Sequence, residues 1–200
     1  MKLSIIKFEM LVFIFLNLLL LAAPNFGYAE TEESIKEYEK YHDSQLKKAE
    51  SKIPALVKQY ATSIGCGFNF NPRNVVPYEI DGMESFVAVF ILDVGCRGGS
   101  NTSESVFVVI ERGANFSLFI NTKYSAPHQT SDDIPQFVTR LFINKGKLWY
   151  KGLEFDFSKD SGCCPSIPIK AQLAFINGKW KNIPGTKSIS NAAVNLEKAE

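Results

Sequence analysis

At Cys66 the hydrophobic period of this 200-residue chain changes, and no other feature limits its fold as strongly. Upstream, apolar side chains from Ile35 and Tyr38 through Leu46, Ala49, Ile53, Leu56, Val57 and Tyr60 to Ile64 recur mostly at steps of three or four, which is one face of a helix. Ser34 and Glu37 make a capping-box pair, Glu32 and Glu33 sit near the positive end of the dipole, and Gly65 offers a stop. Pro54 lacks an amide proton, and Ser51 before it suits a new N-cap, so the helix is expected to kink or divide there and to pack on a sheet.

Downstream, short runs rich in Val, Ile and Phe alternate with Gly, Asn, Asp and Pro, the grammar of strands. Strands are predicted over 75–80, 84–94, 105–111, 115–121, 136–144, 147–157 and 167–176, with a short one around Trp180. Asp81-Gly82 and Asn177-Gly178 supply the positive φ of two-residue hairpins, while Arg112-Gly113 and Lys145-Gly146 suit slightly longer ones, so consecutive strands should pair antiparallel. Ile110, Ile143 and Ile176 stand 33 residues apart, each just ahead of such a turn, a spacing compatible with a partial propeller or stacked hairpins. The simpler expectation is one meandering sheet. The predicted fold class is α+β: an N-terminal kinked helix packed on a mainly antiparallel β-meander of about seven to eight strands, crosslinked by disulfides.

The first 29 residues read as a secretory leader, with Lys2 and Lys7 early, an apolar run from Leu11 to Ala23 and a small-residue exit at Gly27-Tyr28-Ala29. The run is too short and too close to the exit for a confident membrane span. The expected organisation is a leader over 1–29, one helix-plus-β domain over 30–184 and a flexible tail over 185–200, in the periplasm or outside the cell. Lys and Arg number 22 against 21 Asp and Glu. Net charge therefore gives no support for nucleic acid or an anionic membrane as partner, since both draw on a basic excess. A protein in the envelope or outside the cell is the expected partner.

All four cysteines lie beyond the leader, and in an exported chain four cysteines form two disulfides with three possible connectivities. Cys163 and Cys164 are adjacent and point to opposite sides of an extended chain, which favours a different partner for each, drawn from Cys66 and Cys96. A redox-active pair would need a thiolate stabilised by nearby charge, and the flanks offer only Lys159. Asp160-Ser161-Gly162-Cys163-Cys164-Pro165-Ser166, followed by a strand and Gly178-Lys179-Trp180, resembles an element of small bacterial exported proteins and lipoproteins, including the LppP/LprE lipoproteins. The resemblance covers the last quarter of the chain. It implies bacterial export and structural disulfides but no activity, and the lipid-acceptor cysteine of the lipoproteins does not follow the apolar run here.

His42, beside Asp43, falls on the charged side of the helix. His128 lies in a long loop, 121–135, with Ser125, Ser131, Asp132 and Asp133, the composition of a triad or a cation site. Neither a nucleophile elbow nor zinc-type spacing accompanies it, so no catalytic residue, metal or cofactor is assigned. Two carboxylates among Asp81, Asp93, Glu154 and Asp156 could hydrolyse a glycoside if the fold joined them. Alternation over 147–157 is expected to turn Trp149, Lys151, Leu153, Phe155 and Phe157 toward the helix. Tyr150, Glu154 and Asp156 would then form a recognition surface on the opposite face. The leading expectation is an exported, non-enzymatic binding protein of immunity, inhibitor or envelope-accessory type that recognises its partner through Tyr150, Glu154, Asp156, His128, Asp132 and Asp133. A secreted hydrolase with paired carboxylates and a structural envelope component are the alternatives.

Overall fold

The computed structural model describes residues 32–96, 102–125, 129–160 and 164–189. The expected leader, His128, Cys163 and the tail beyond residue 189 lie outside them. The chain divides into two compact units between His42 and Asp43. The sheets and the cleft described below belong to the second.

The N-terminal helical stretch bends and divides near Pro54, as expected, into α1 (Glu32–Glu50) and α2 (Ile53–Ile64). The break falls where Pro54 demands it, because proline fits the first turn of a helix, where its missing N–H costs nothing. Ser51 is not the cap. Its hydroxyl donates back to the Lys48 carbonyl at 2.8 Å, and Lys52 takes the N-cap position without a side-chain bond. Of α1 only Ala49 is buried, and Ile35, Tyr38 and Tyr41 are exposed. The helix face that packs is that of α2, through Ile53, Val57 and Ala61. Gly65 closes α2 in an extended conformation, and a Cβ there would stand 2.4 Å from Leu92 Cδ1, so close approach to the sheet selects the glycine.

Among the described residues ten strands follow, in two five-stranded antiparallel sheets rather than one. The first contains β1 (Gly67–Asn69), β2 (Val75–Ile80), β3 (Met83–Asp93), β4 (Ser103–Arg112) and β5 (Leu118–Ile120). Here β1 and β2 share one side of β3, and β4 and β5 continue from the other. The second contains β6 (Phe137–Asn144), β7 (Lys147–Glu154), β8 (Ile167–Ile176), β9 (Lys179–Asn182) and β10 (Ser188–Ile189). In it β9 and β10 share one side of β8.

Burial explains the two sheets. Residues of β3 and β4 are apolar almost without interruption because both faces are covered. Phe86, Ala88, Phe90, Val106, Val108 and Ile110 pack with α2. Val87, Val89, Phe107 and Val109 turn the other way, onto Leu141, Leu148, Tyr150, Leu173 and Trp180 of the second sheet. The layers are thus α2, first sheet, second sheet.

Asp81-Gly82 and Asn177-Gly178 form the expected two-residue turns with positive φ at both positions, and Lys145-Gly146 does the same instead of making a longer loop. The predicted strand over 115–121 shrinks to Leu118–Ile120, because Asn115 and Phe116 adopt positive φ in a 3-10 turn. Ile110 is buried under α2 whereas Ile143 and Ile176 are partly exposed beside turns, so the 33-residue echo reflects hairpin grammar and not equivalent sites.

Among the described residues no strand pairs with the outer side of β6, and the first part of that side is satisfied by side chains. Ser105 Oγ donates to the Gln136 carbonyl and accepts from Val138 N, both at 2.9 Å. Asn74 Nδ2 donates to the Thr139 carbonyl at 3.2 Å, and its Oδ1 accepts from Leu141 N at 3.3 Å. These bonds fall at the bulge between Val138 and Arg140.

The disulfide corrects the favoured connectivity. Cys66 pairs with Cys96, at a Cα separation of 5.0 Å, and not with Cys163 or Cys164. Register is the cause: β1 runs antiparallel to the end of β3 with Gly67 opposite Asp93, and Cys66 N donates to the Asp93 carbonyl at 3.2 Å. The residues just outside that pairing are then neighbours. Cys164 is also disulfide-bonded.

Candidate functional site

A cleft of about 620 Å³ opens where the segment 132–136 meets the end of β7 and the turn that follows. Asp132, Gln136, Glu154 and Asp160 supply its polar wall, and Ile134, Pro135, Leu153, Phe155 and Phe157 its apolar one. Phe155 and Phe157 stack with ring centroids 6.1 Å apart, and Phe157 is 95% exposed.

The wall built from the long loop is fixed in place. Ser131 N donates to the Trp180 carbonyl at 3.0 Å and Thr130 Oγ1 to the Ser105 carbonyl at 3.1 Å. Asn182 N donates to Asp133 Oδ2 at 3.0 Å, and Asn182 Nδ2 to the Asp133 carbonyl at 2.5 Å. Asp133 is therefore committed to holding the loop on β9, while its neighbour Asp132 is left on the cleft wall. A loop pinned at both sheets presents its side chains without a large ordering cost on binding.

The opposite wall comes from a turn organised by carboxylates. Asp160 Oδ2 accepts from Asp156 N at 2.7 Å and from Ser166 N at 2.8 Å, and the Ser166 side chain, foremost, together with these bonds draws its pKa down from the ordinary value. Asp156 Oδ1 accepts from the Ser158 hydroxyl at 2.5 Å and from Ser158 N at 3.0 Å, so its carboxyl too is held below the usual range. These bonds end β7 at Glu154, three residues before the predicted limit. Glu154 pairs with Lys187 at 2.5 Å. Of the Asp160–Ser166 element, the first and last residues thus close the turn that carries Phe155 and Phe157.

Most of the cleft's polar atoms are acceptors, and one of them is unpaired. Gln136 Oε1 is buried with no hydrogen-bond partner among the described residues. A buried acceptor without a donor costs on the order of 1–3 kcal/mol, which a ligand donor recovers once the Gln136 amide turns toward the cleft. None of the residues that line the cleft is Lys, Arg or His.

The fold brings together Asp132 and Glu154 from the predicted recognition set and places Asp156 in the turn beneath them. Tyr150 does not belong there. It is fully buried between the sheets, its hydroxyl donates to Asn182 Oδ1 at 2.7 Å, and burial pushes its pKa up. The alternation of β7 is as expected, but its sense is reversed: Leu148 and Tyr150 face the core, while Trp149 and Lys151 face outward. Gln136, Phe155, Phe157 and Asp160 were missed, although Asp160 opens the element noted in the sequence.

The remaining carboxylates proposed for hydrolysis are dispersed into separate pairings. Asp81 accepts from the Tyr124 hydroxyl and from Lys123 Nζ, which lower its pKa. Asp93 Oδ1 accepts from Gly95 N at 3.0 Å and Thr102 Oγ1 at 2.7 Å. Among the described residues, no group of three His, Cys, Asp or Glu side chains converges as a metal site, and no helix is long and apolar enough to cross a membrane.

The chain matches no family model, no curated protein and no solved structure. The cleft is therefore interpreted from its own chemistry.

Proposed function

We propose that this chain is an exported, non-enzymatic binding protein of the bacterial periplasm or exterior, an immunity-type or inhibitor module or an envelope accessory factor. Its cleft receives a positively charged, donor-rich segment of a protein partner. The observation that carries this reading is the acceptor-rich wall: three carboxylates, of which Glu154 is shared with Lys187, and an unpaired amide oxygen, with no basic lining residue. Such a wall selects donors, and the guanidinium fork is the side chain that offers most of them in one plane. The stacked Phe155–Phe157 pair supplies a surface on which that plane can lie. Export is supported by the leader-like first 29 residues, by the resemblance of the Asp160–Ser166 element and by the Cys66–Cys96 bond.

Hydrolysis is less well supported, because a general acid needs a raised pKa and both Asp81 and Asp156 are pulled the other way. Titration of the full chain with an arginine-rich peptide and a neutral peptide of equal length tests the proposal. The arginine peptide is expected to bind selectively, with Asp132→Asn and Gln136→Ala each weakening it about tenfold, the worth of one hydrogen bond to a charged group at ~1.5 kcal/mol. Equal affinity for the neutral peptide would sink it, as would glycan hydrolysis that disappears in Glu154→Gln.

A further inference from the structure

The near-neutral balance of the whole chain conceals a segregation of charge. Residues 136–189 carry nine Lys or Arg against three Asp or Glu, and strand alternation turns most of those cations to one side. In β7 the inward side chains are Leu148 and Tyr150, so Lys147, Trp149 and Lys151 point away from the core. In β8 the inward side chains are Ile169, Ala171 and Leu173, which leaves Lys170 outward. Register then sets Arg140 opposite Lys151, and Lys151 opposite Lys170. Three cations thus stand abreast on adjacent strands spaced by about 4.8 Å.

Lys147 and Lys181 lie farther along the same face, both beyond the row that holds Trp149, with Lys181 opposite Ala174. None of these five cations forms an ion pair among the described residues, and no outward position of β6, β7, β8 or β9 is a carboxylate. Like charges directly opposite each other on a sheet repel, so a layer of anions over this face relieves a cost already present in the fold.

The neighbouring row decides which anion. Phe142 and Trp149 are opposite one another, and the Lys170 ammonium lies 5.4 Å from the first ring centre and 5.0 Å from the second. With a cation of this chain already over those rings, they make a poor platform for stacked bases, which single-stranded nucleic acid requires. An indole between lysine stems suits a lipid interface instead, with its apolar body buried and its polar edge wet. We infer that the outer face of the second sheet docks on the surface of an anionic phospholipid bilayer. Arg140, Lys151 and Lys170 meet the headgroup phosphates, and Trp149 enters the headgroup layer. This inference is independent of the cleft, and either can fail without the other.

Co-sedimentation of the full chain with phosphatidylcholine vesicles, with and without phosphatidylglycerol, tests it. Binding is expected to require phosphatidylglycerol, to weaken as salt is added, and to fall roughly a hundredfold in Arg140→Glu/Lys151→Glu/Lys170→Glu. Circular dichroism checks the fold of that variant. Lys151→Gln alone, expected to lose about fivefold, reads the same effect if the triple change disturbs folding. Equal binding to both vesicles overturns the inference, as does phosphatidylglycerol-dependent binding that neither variant reduces. Preference of this same row for a single-stranded oligonucleotide in competition with the vesicles also overturns it.

Discussion

Gly152 shows how one residue sets the distance between the loop wall of the cleft and the second sheet. It lies on the inward side of β7, where an added Cβ would stand 2.8 Å from the Phe137 carbonyl oxygen and 2.9 Å from Pro135 Cγ. A backbone oxygen in a paired strand cannot give way as a flexible side chain can. Gly152→Ala is expected to destabilise the protein by about 1–3 kcal/mol, read as a lower urea midpoint at unchanged slope. An unaltered midpoint would show that this contact is looser than described. At the same scale, Tyr150 marks what the sequence left ambiguous. Periodicity divides β7 into two faces correctly, but counting apolar residues selects the wrong one as inner, because Trp149 and Leu153 outweigh Leu148 and Tyr150 in bulk. The face with Lys147 and Lys151 stays outside, and Lys170 shelters the half-buried indole of Trp149.

Among the elements, turns were the most legible and strand ends the least. Asp81-Gly82 and Asn177-Gly178 declare their hairpins through residues that tolerate positive φ. Phe116 takes the same conformation without any such signal, which is why β5 is shorter than its sequence suggests. The pairing of Cys66 could not be derived from spacing either, since it follows from β1, a strand of three residues. That pairing closes a loop over a sequence separation of 30. Cys66→Ser/Cys96→Ser is expected to lower stability by about 2–4 kcal/mol. Denaturation with and without reductant checks it: if this bond dominates the crosslinking, reductant should shift the wild type far more than the variant.

For the whole molecule, the layering was recoverable only in part. The unbroken apolar runs of β3 and β4 announce strands covered on both sides, but no local pattern says that the chain turns back after Ser125 to build the second cover. The charge segregation was likewise hidden by a balance taken over all residues. Titration is also a property of the whole. Asp81, Asp156 and Asp160 are held below the carboxylate range, so folding favours their charged forms. Their contribution is complete above the unfolded value of about 4 and is lost as pH falls through the depressed folded values. Glu104, raised by burial, opposes them. Tyr60, Tyr78 and Tyr150 are raised by burial, so their contribution is complete below about pH 10 and is lost as pH rises beyond it. Urea midpoints measured across pH are expected to form a plateau between about pH 5 and pH 9. Tyr150→Phe should flatten the alkaline limb and leave the acid limb in place; an alkaline limb of unchanged steepness would refute the role given to its burial.

The side-chain closure of β6 by Asn74 and Ser105 has a consequence for how anything can be recognised. Pro77 deprives the border of β2 of a donor, and β5 is three residues long. A guest that extends a sheet with its own main chain meets a partly filled seam at β6 and a broken or abbreviated one at β2 and β5. At these three margins a partner has to be told apart by functional groups, and crowded copies find little free backbone there through which to stitch themselves into fibres.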